Sequence, residues 1–167
     1  MLAINTQLRI RGSSISVEFR GGINLRVDVN PDDPINSVRF RIVGFRMSAE
    51  LPSSEGGTGG TITIEQSDID VDEKSLFRLV QRFPPKYEVI YVLKFTMEIK
   101  HRDASSSNSK PLILITKDPM KLIGTITQFP PRGGLFQLQN PVDLIDFENP
   151  IGTVATLEKF PVKMEGL

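Results

Sequence analysis

The segment Ser37–Leu51, SVRFRIVGFRMSAEL, carries the clearest structural signal in the chain. Up to Ile42 its apolar residues are even-numbered, and from Val43 onward they are odd-numbered. Alternation with a period of two is typical of a half-buried β-strand. Because a strand needs one extra residue to keep its apolar side chains on one face across such a phase change, the sequence predicts a β-bulge at Val43-Gly44, where glycine permits the unusual backbone.

The same alternation continues on both sides of this segment. Upstream it covers residues 14–19 and 23–29, and Gly21-Gly22 between these two runs predicts a two-residue hairpin turn. Downstream the predicted strands are Thr61–Glu65, Tyr87–Lys100, Leu112–Thr116, Met120–Phe129, Leu135–Gln139, Val142–Phe147 and Thr153–Phe160.

One segment follows a different period. Its apolar residues lie at the i, i+3, i+4 and i+7 spacing of a helix face, namely Leu76, Leu79, Val80 and Phe83. Asp70 followed by Glu73 resembles a capping box in front of them. The sequence therefore predicts one short helix over residues 73–82, ended by Phe83-Pro84-Pro85.

Nine or ten strands and one short helix predict an all-β fold, either an antiparallel β-sandwich or a closed β-barrel. A chain of 167 residues has the usual size of one domain, so we expect residues 1–167 to form a single β domain. Ten phenylalanines are available for its core, and each contributes about 1.5–3 kcal/mol when fully buried.

The composition restricts the function classes. Lys plus Arg and Asp plus Glu number 20 each, so the chain lacks the basic excess of a nucleic-acid binder. The absence of cysteine excludes disulfides, thiolate metal sites and cysteine nucleophiles. No apolar run is long enough to span a membrane and no signal-peptide pattern is visible at the start, so we expect a soluble, cytoplasmic protein. We expect no cofactor.

Two motifs resemble catalytic sequences, but we interpret both as chance matches. His101-Arg102-Asp103 followed by Asn108 matches H-R-D-x-x-x-x-N, the catalytic-loop pattern of protein kinases, but the glycine-rich phosphate loop and D-F-G are absent. Ser105–Ser107 in the same loop would need the G-x-S-x-G motif of a nucleophile elbow, which is also absent. This loop is therefore predicted to be a polar linker.

Alternating carboxylates at Asp68, Asp70 and Asp72 form a weak candidate for a calcium site, since calcium prefers oxygen ligands. The EF-hand pattern fails here. The favoured interpretation is an acidic approach to the N-terminus of the predicted helix.

Candidate binding residues come from strands with distinctive side chains. Arg39 and Arg41 share the polar face of their strand and suit planar anionic partners or the carboxylates of a protein, unless they form an ordinary outer face paired with Glu18 and Asp28. Tyr87 and Tyr91 share one face of a long strand, and such residues line either a core or a ligand pocket.

The sequence Phe-Pro-Pro followed by a basic residue occurs twice, at Phe83–Lys86 and Phe129–Arg132. We interpret each copy as a rigid turn in which phenylalanine closes the edge of the core. The alternative is a pair of matched loops that form a shared binding rim.

The leading functional hypothesis is a non-catalytic β module that binds a protein partner or assembles into a homo-oligomer. Its candidate surface comprises Arg39, Arg41 and the Ser53–Gly60 loop, because loops on rigid β scaffolds commonly carry binding. The alternative is a small β-barrel enzyme of the cyclase or isomerase type, or a carrier, for a hydrophobic small molecule. Its participants would be Tyr87, Tyr91, Glu88 and Glu98.

Overall fold

The computed structural model describes residues 1–53, 59–69, 71, 74–102 and 110–165. The strands in this part of the chain are β1 (Leu2–Ile10), β2 (Ser13–Val29), β3 (Ser37–Leu51), β4 (Gly60–Gln66), β5 (Ser75–Gln81), β6 (Lys86–Leu93), β7 (Phe95–His101), β8 (Leu112–Thr116), β9 (Met120–Ile126), β10 (Leu135–Leu138), β11 (Val142–Asp146), β12 (Ala155–Lys159) and β13 (Val162–Lys163). No helix long and apolar enough to cross a membrane occurs among these residues.

All thirteen strands belong to one antiparallel sheet, which confirms the predicted all-β fold. Successive long segments of chain pair with one another: β1 with β2, β2 with β3, and β3 with both β4 and β5. The pairing continues through β7, β8 and β11 on one path and through β6, β9 and β10 on the other. Because β12 and β13 both pair with β1, the ladder returns to its first strand, and the fold is sandwich- or barrel-like. We call this sheet the wall and its buried apolar side the interior.

The β-bulge predicted in β3 is confirmed. Asn24 of β2 lies opposite Gly44, and the next residue, Leu25, lies opposite Ile42, so Val43 is the extra residue. Val43 is 58% exposed, whereas Ile42 and Phe45 on either side of the bulge are buried. The extra residue therefore keeps the apolar side chains of both halves of β3 on the interior face.

The hairpin predicted at Gly21-Gly22 is wrong, because β2 runs without a break from Ser13 to Val29. Gly21 exchanges backbone hydrogen bonds with Met1 on one side and lies opposite Met47 on the other. A Cβ atom at Gly21 would overlap the carbonyl oxygen of Arg46. This glycine therefore serves a close approach of two strands and not a turn.

The short helix predicted over residues 73–82 is also wrong, because this segment contains strand β5. β5 pairs with Ser37–Phe40 of β3 and with β6, so its backbone groups are satisfied by two neighbouring strands. Its side chains alternate as a strand requires, with Ser75 buried and Arg78 and Val80 exposed. Sheet pairing has overridden the helical spacing of the apolar residues. The predicted capping residues Asp70 and Glu73 lie outside the described residues.

The interior of the sheet is filled by large side chains. The largest fully buried ones include Tyr91, Phe19, Phe95, Phe136, Phe160, Leu8, Met47, Ile62, Ile64, Leu93, Met97 and Ile99. Gly124 makes room for the ring of Phe136, which would lie only 2.7 Å from a Cβ atom at this position. The core is therefore a close-packed set of side chains from nearly every strand.

The two neighbouring glycines of β2 offer a matched stability test. Gly21→Ala should destabilise the protein by about 1–3 kcal/mol, because the added methyl group forces β2 away from Arg46. Gly22→Ala should leave stability almost unchanged, since no atom lies within 4 Å of its Cβ position. The free energy of unfolding from urea denaturation measures both, and equal values would contradict the close approach.

Candidate functional site

The outer side of the β2–β3 ribbon carries most of the arginines of the N-terminal half. Arg26 lies opposite Arg41, and Asp28 lies opposite Arg39. The bulge at Val43 shifts the phase of β3, so that Arg46 also lies on this outer side. We call the set Arg20, Arg26, Arg39, Arg41 and Arg46 the arginine face.

Ion pairs hold part of this face in place. The Nη2 atom of Arg39 lies 2.6 Å from Oδ2 of Asp32 in the loop between β2 and β3. Asp28 is shared, because Nε of Arg26 lies 3.5 Å from Oδ1 and Nε of Arg41 lies 3.8 Å from Oδ2. Arg46, by contrast, forms no ion pair with any residue that the structure describes, although Glu65 lies opposite it in β4. The face therefore retains guanidinium N–H groups for another partner.

A depression of about 1370 Å³, open to solvent, lies beside the arginine face. It forms where β4 ends at Gln66 and β5 begins at Ser75, and no described strand pairs with the middle of β3 on that side. Two side chains complete the backbone hydrogen bonds here. Nε2 of Gln66 donates to the carbonyl oxygen of Ile42 at 2.8 Å, and Oγ of Ser75 accepts from the N–H of Val92 at 2.8 Å.

Charged side chains surround the depression. The described cationic ones are Arg39, Arg41, Arg46, Lys74 and Lys94, and the described carboxylates are Asp28, Glu65 and Asp68. Positive charge thus prevails among the described residues of the lining, which favours an anionic partner.

The structure brings the predicted residues Arg39 and Arg41 together with Arg26 and Arg46, which sequence reasoning did not select. The predicted outer-face partner Asp28 is present, whereas Glu18 pairs with Arg20 at 2.6 Å. Arg9 of β1 lies outside the face, because it lies opposite Ser14 at the other end of β2 and pairs with Glu158 at 2.7 Å. The phase change in Ser37–Leu51 was the signal that could have placed Arg46.

Tyr87 and Tyr91 point toward the core, and neither of them lines the depression. Tyr91 is buried, with its ring centroid 5.2 Å from that of Phe136 and 6.1 Å from that of Phe40. Tyr87 is half-buried and stacks on Phe77 at 4.7 Å. Both are therefore parts of an aromatic cluster in the core.

The two glutamates considered for catalysis lie on the opposite side of the wall from the tyrosines. Glu88 pairs with Arg78 at 2.6 Å, and Glu98 pairs with Lys100 at 2.8 Å. Because successive side chains of a strand point to opposite faces, Glu88 cannot meet the neighbouring ring of Tyr87 inside the core. The structure does not bring these carboxylates and phenols together.

The two Phe-Pro-Pro segments differ in packing. Phe129 contacts the aromatic cluster, with centroids 5.6 Å from Phe77 and 6.2 Å from Phe40. Phe83 is 91% exposed and closes nothing. Both Phe–Pro bonds are cis. Of the two segments, only that of Phe129 therefore fits the interpretation that its phenylalanine closes the edge of the core.

Several predicted features lie outside the described residues. They include Asp70 and Asp72 of the metal candidate, residues 54–58 of the Ser53–Gly60 loop, and residues 103–109 with the serine run. Among the residues that are described, no group of three or more His, Asp or Glu side chains could hold a metal ion. Asp68 and His101 are described, and both are exposed.

Comparisons with known proteins add no assignment. No protein-family model matches the chain, and no curated protein or solved structure matches it either.

Burial of Tyr91 has a measurable consequence at high pH. Desolvation raises the pKa of Tyr91 to about 12, from 10.0 in water. Between these values the unfolded chain loses this proton and the native protein keeps it, so Tyr91 makes stability fall as the pH rises from about 10 to 12. The total loss is about 1.4 kcal/mol for each pH unit by which the two pKa values differ.

We therefore expect Tyr91→Phe to lose less stability than the wild type between pH 9 and about 11. Urea denaturation at both pH values measures the difference. An identical alkaline loss in the two proteins would contradict the assignment to Tyr91.

Proposed function

We propose that this protein is a non-catalytic β module that binds a protein partner through the arginine face, with the partner supplying carboxylates. The observation that carries the proposal is the alignment of several guanidinium groups on one side of the β2–β3 ribbon, next to an open depression. Guanidinium groups bind carboxylates through paired hydrogen bonds, and arginine is enriched at protein interfaces.

The hydrogen-bonding capacity of the face supports this proposal. Asp28 is the only described carboxylate within ion-pair distance of Arg26 and of Arg41, at 3.5 and 3.8 Å, and both distances exceed those of short charge-assisted hydrogen bonds. Arg46 has no described ion-pair partner at all. A carboxylate from a partner therefore gains contacts here without first displacing a tight internal pair.

The rigidity of the face is a second support. On the opposite side of β3, Phe40, Ile42 and Phe45 are buried in the core, so the backbone that carries the arginines is held by packing. A binding surface that does not reorganise loses less conformational entropy on association.

The alternative function, an enzyme or carrier for a hydrophobic small molecule, needs an apolar cavity. The inward-pointing side chains of the described strands instead pack against one another, and the rings of Tyr91 and Phe136 are in contact. The large depression is open to solvent and its lining combines charged side chains with apolar ones, so it is not an enclosed apolar cavity. These observations favour the binding module.

A synthetic peptide of alternating glutamate and serine is a direct probe of the arginine face. Isothermal calorimetry should show binding that weakens as salt is added, because salt screens exposed charges. A matched peptide with lysine in place of glutamate should not bind.

Arg41→Gln and Arg46→Gln should each weaken binding of the acidic peptide by roughly two- to fivefold, as expected for an exposed charge contact of up to about 1 kcal/mol. Arg132→Gln is the matched control, because it removes the same charge from a loop outside the depression. Absence of binding, or equal weakening by all three substitutions, would refute the assignment to this face.

A further inference from the structure

The second half of β2 pairs with a described strand on one side only. Residues Gly22–Val29 pair with β3, but the ladder with β1 ends at Arg20 opposite Leu2, followed by the hydrogen bonds between Gly21 and Met1. No other strand among the described residues pairs with this side of β2. We call Gly22–Val29 the open edge.

The direction of the free backbone groups follows from Gly21. Its N–H donates to the carbonyl oxygen of Met1 at 3.1 Å, and its carbonyl oxygen accepts from the Met1 amino group at 2.9 Å. In an antiparallel sheet both groups of one residue point to the same side, and the side alternates from residue to residue. Since the bulge adds its residue to β3 and not to β2, Ile23, Leu25, Val27 and Val29 all present their N–H and C=O groups to the open edge.

These same residues belong to the interior face, and Ile23 and Leu25 are partly buried against the core. Val27 and Val29 are 53% and 73% exposed, although Val27 lies beside the buried Phe40 of β3. Unpaired backbone groups flanked by exposed valines form a template for another strand.

We propose that the open edge pairs with the open edge of a second copy of this chain, antiparallel, with the two-fold axis at Val27. In this register Val27 lies opposite Val27 of the second copy, and Leu25 lies opposite Val29. Each of these three residues then donates one backbone hydrogen bond and accepts one across the interface. This inference goes beyond the proposed function, because it requires no acidic partner.

Charge complementarity selects the second copy as the occupant and fixes the register. With the axis at Val27, Arg26 of each copy lies opposite Asp28 of the other, on the outer side of the sheet. An axis at Arg26 would place the two Arg26 side chains opposite each other, and an axis at Asp28 would do the same for the two aspartates. The sequence of the open edge is thus complementary to itself in one register, as a two-fold interface requires.

Sedimentation velocity over a dilution series tests the pairing. The wild-type chain should show a concentration-dependent dimer. Val27→Pro should be monomeric, because it removes the N–H at the axis without removing a hydrogen bond to β3. Val27→Thr retains that N–H and should still dimerise, and circular dichroism with thermal melts checks that both variants fold.

A charge-swap experiment tests the register without a change of backbone. Arg26→Asp alone and Asp28→Arg alone should each be monomeric, since each places like charges opposite one another. An equimolar mixture of the two variants should restore a dimer, because the mixed pair has opposite charges at both positions.

A wild-type monomer at every concentration, or a dimer that survives Val27→Pro, would overturn the proposed pairing. Failure of the mixture to dimerise would overturn the register with its axis at Val27. Binding of the glutamate peptide by monomeric Val27→Pro would leave the proposed function standing, so the two proposals can fail separately.

Discussion

The whole architecture depends on one extra residue in the ladder between β2 and β3. β3 is the only described strand that pairs along one side with β2 and along the other with both β4 and β5. If Val43 were not looped out, either the half with Phe40 or the half with Phe45 would point its apolar side chains to solvent. Several buried side chains would then lose contacts that contribute about 1.5–3 kcal/mol each. The bulge is therefore required for both halves of β3 to contribute side chains to a single core.

The surface that we propose for binding also depends on the bulge at Val43. Because the phase of β3 changes at the bulge, Arg41 before it and Arg46 after it lie on the same outer side. β4 ends at Gln66 and β5 begins at Ser75, so neither of these two strands pairs with the part of β3 that carries the bulge. Side-chain hydrogen bonds from Gln66 and Ser75 satisfy the backbone there and leave an open depression.

The interior and exterior of the wall have separate roles. Inside, aromatic rings such as those of Tyr91 and Phe136 pack against one another in the core. Outside, paired and unpaired arginines provide charge on a backbone that this packing holds in place. Along the open edge of β2, Val27 faces the interior, whereas Arg26 and Asp28 face outward.

The amino-acid sequence by itself determined the all-β class and the position of the bulge, because period and phase are properties of consecutive residues. Features that depend on contact with a distant segment of the chain were decided only by the tertiary structure. Gly21 looked like a turn because its close neighbour, the Arg46 carbonyl, is distant in sequence. Residues 75–81 became a strand because β3 and β6 satisfy their backbone groups on both sides, which no local spacing of leucines reveals. The gathering of Arg26 with Arg41 likewise follows from the register between two strands, and register is fixed by packing across the whole sheet.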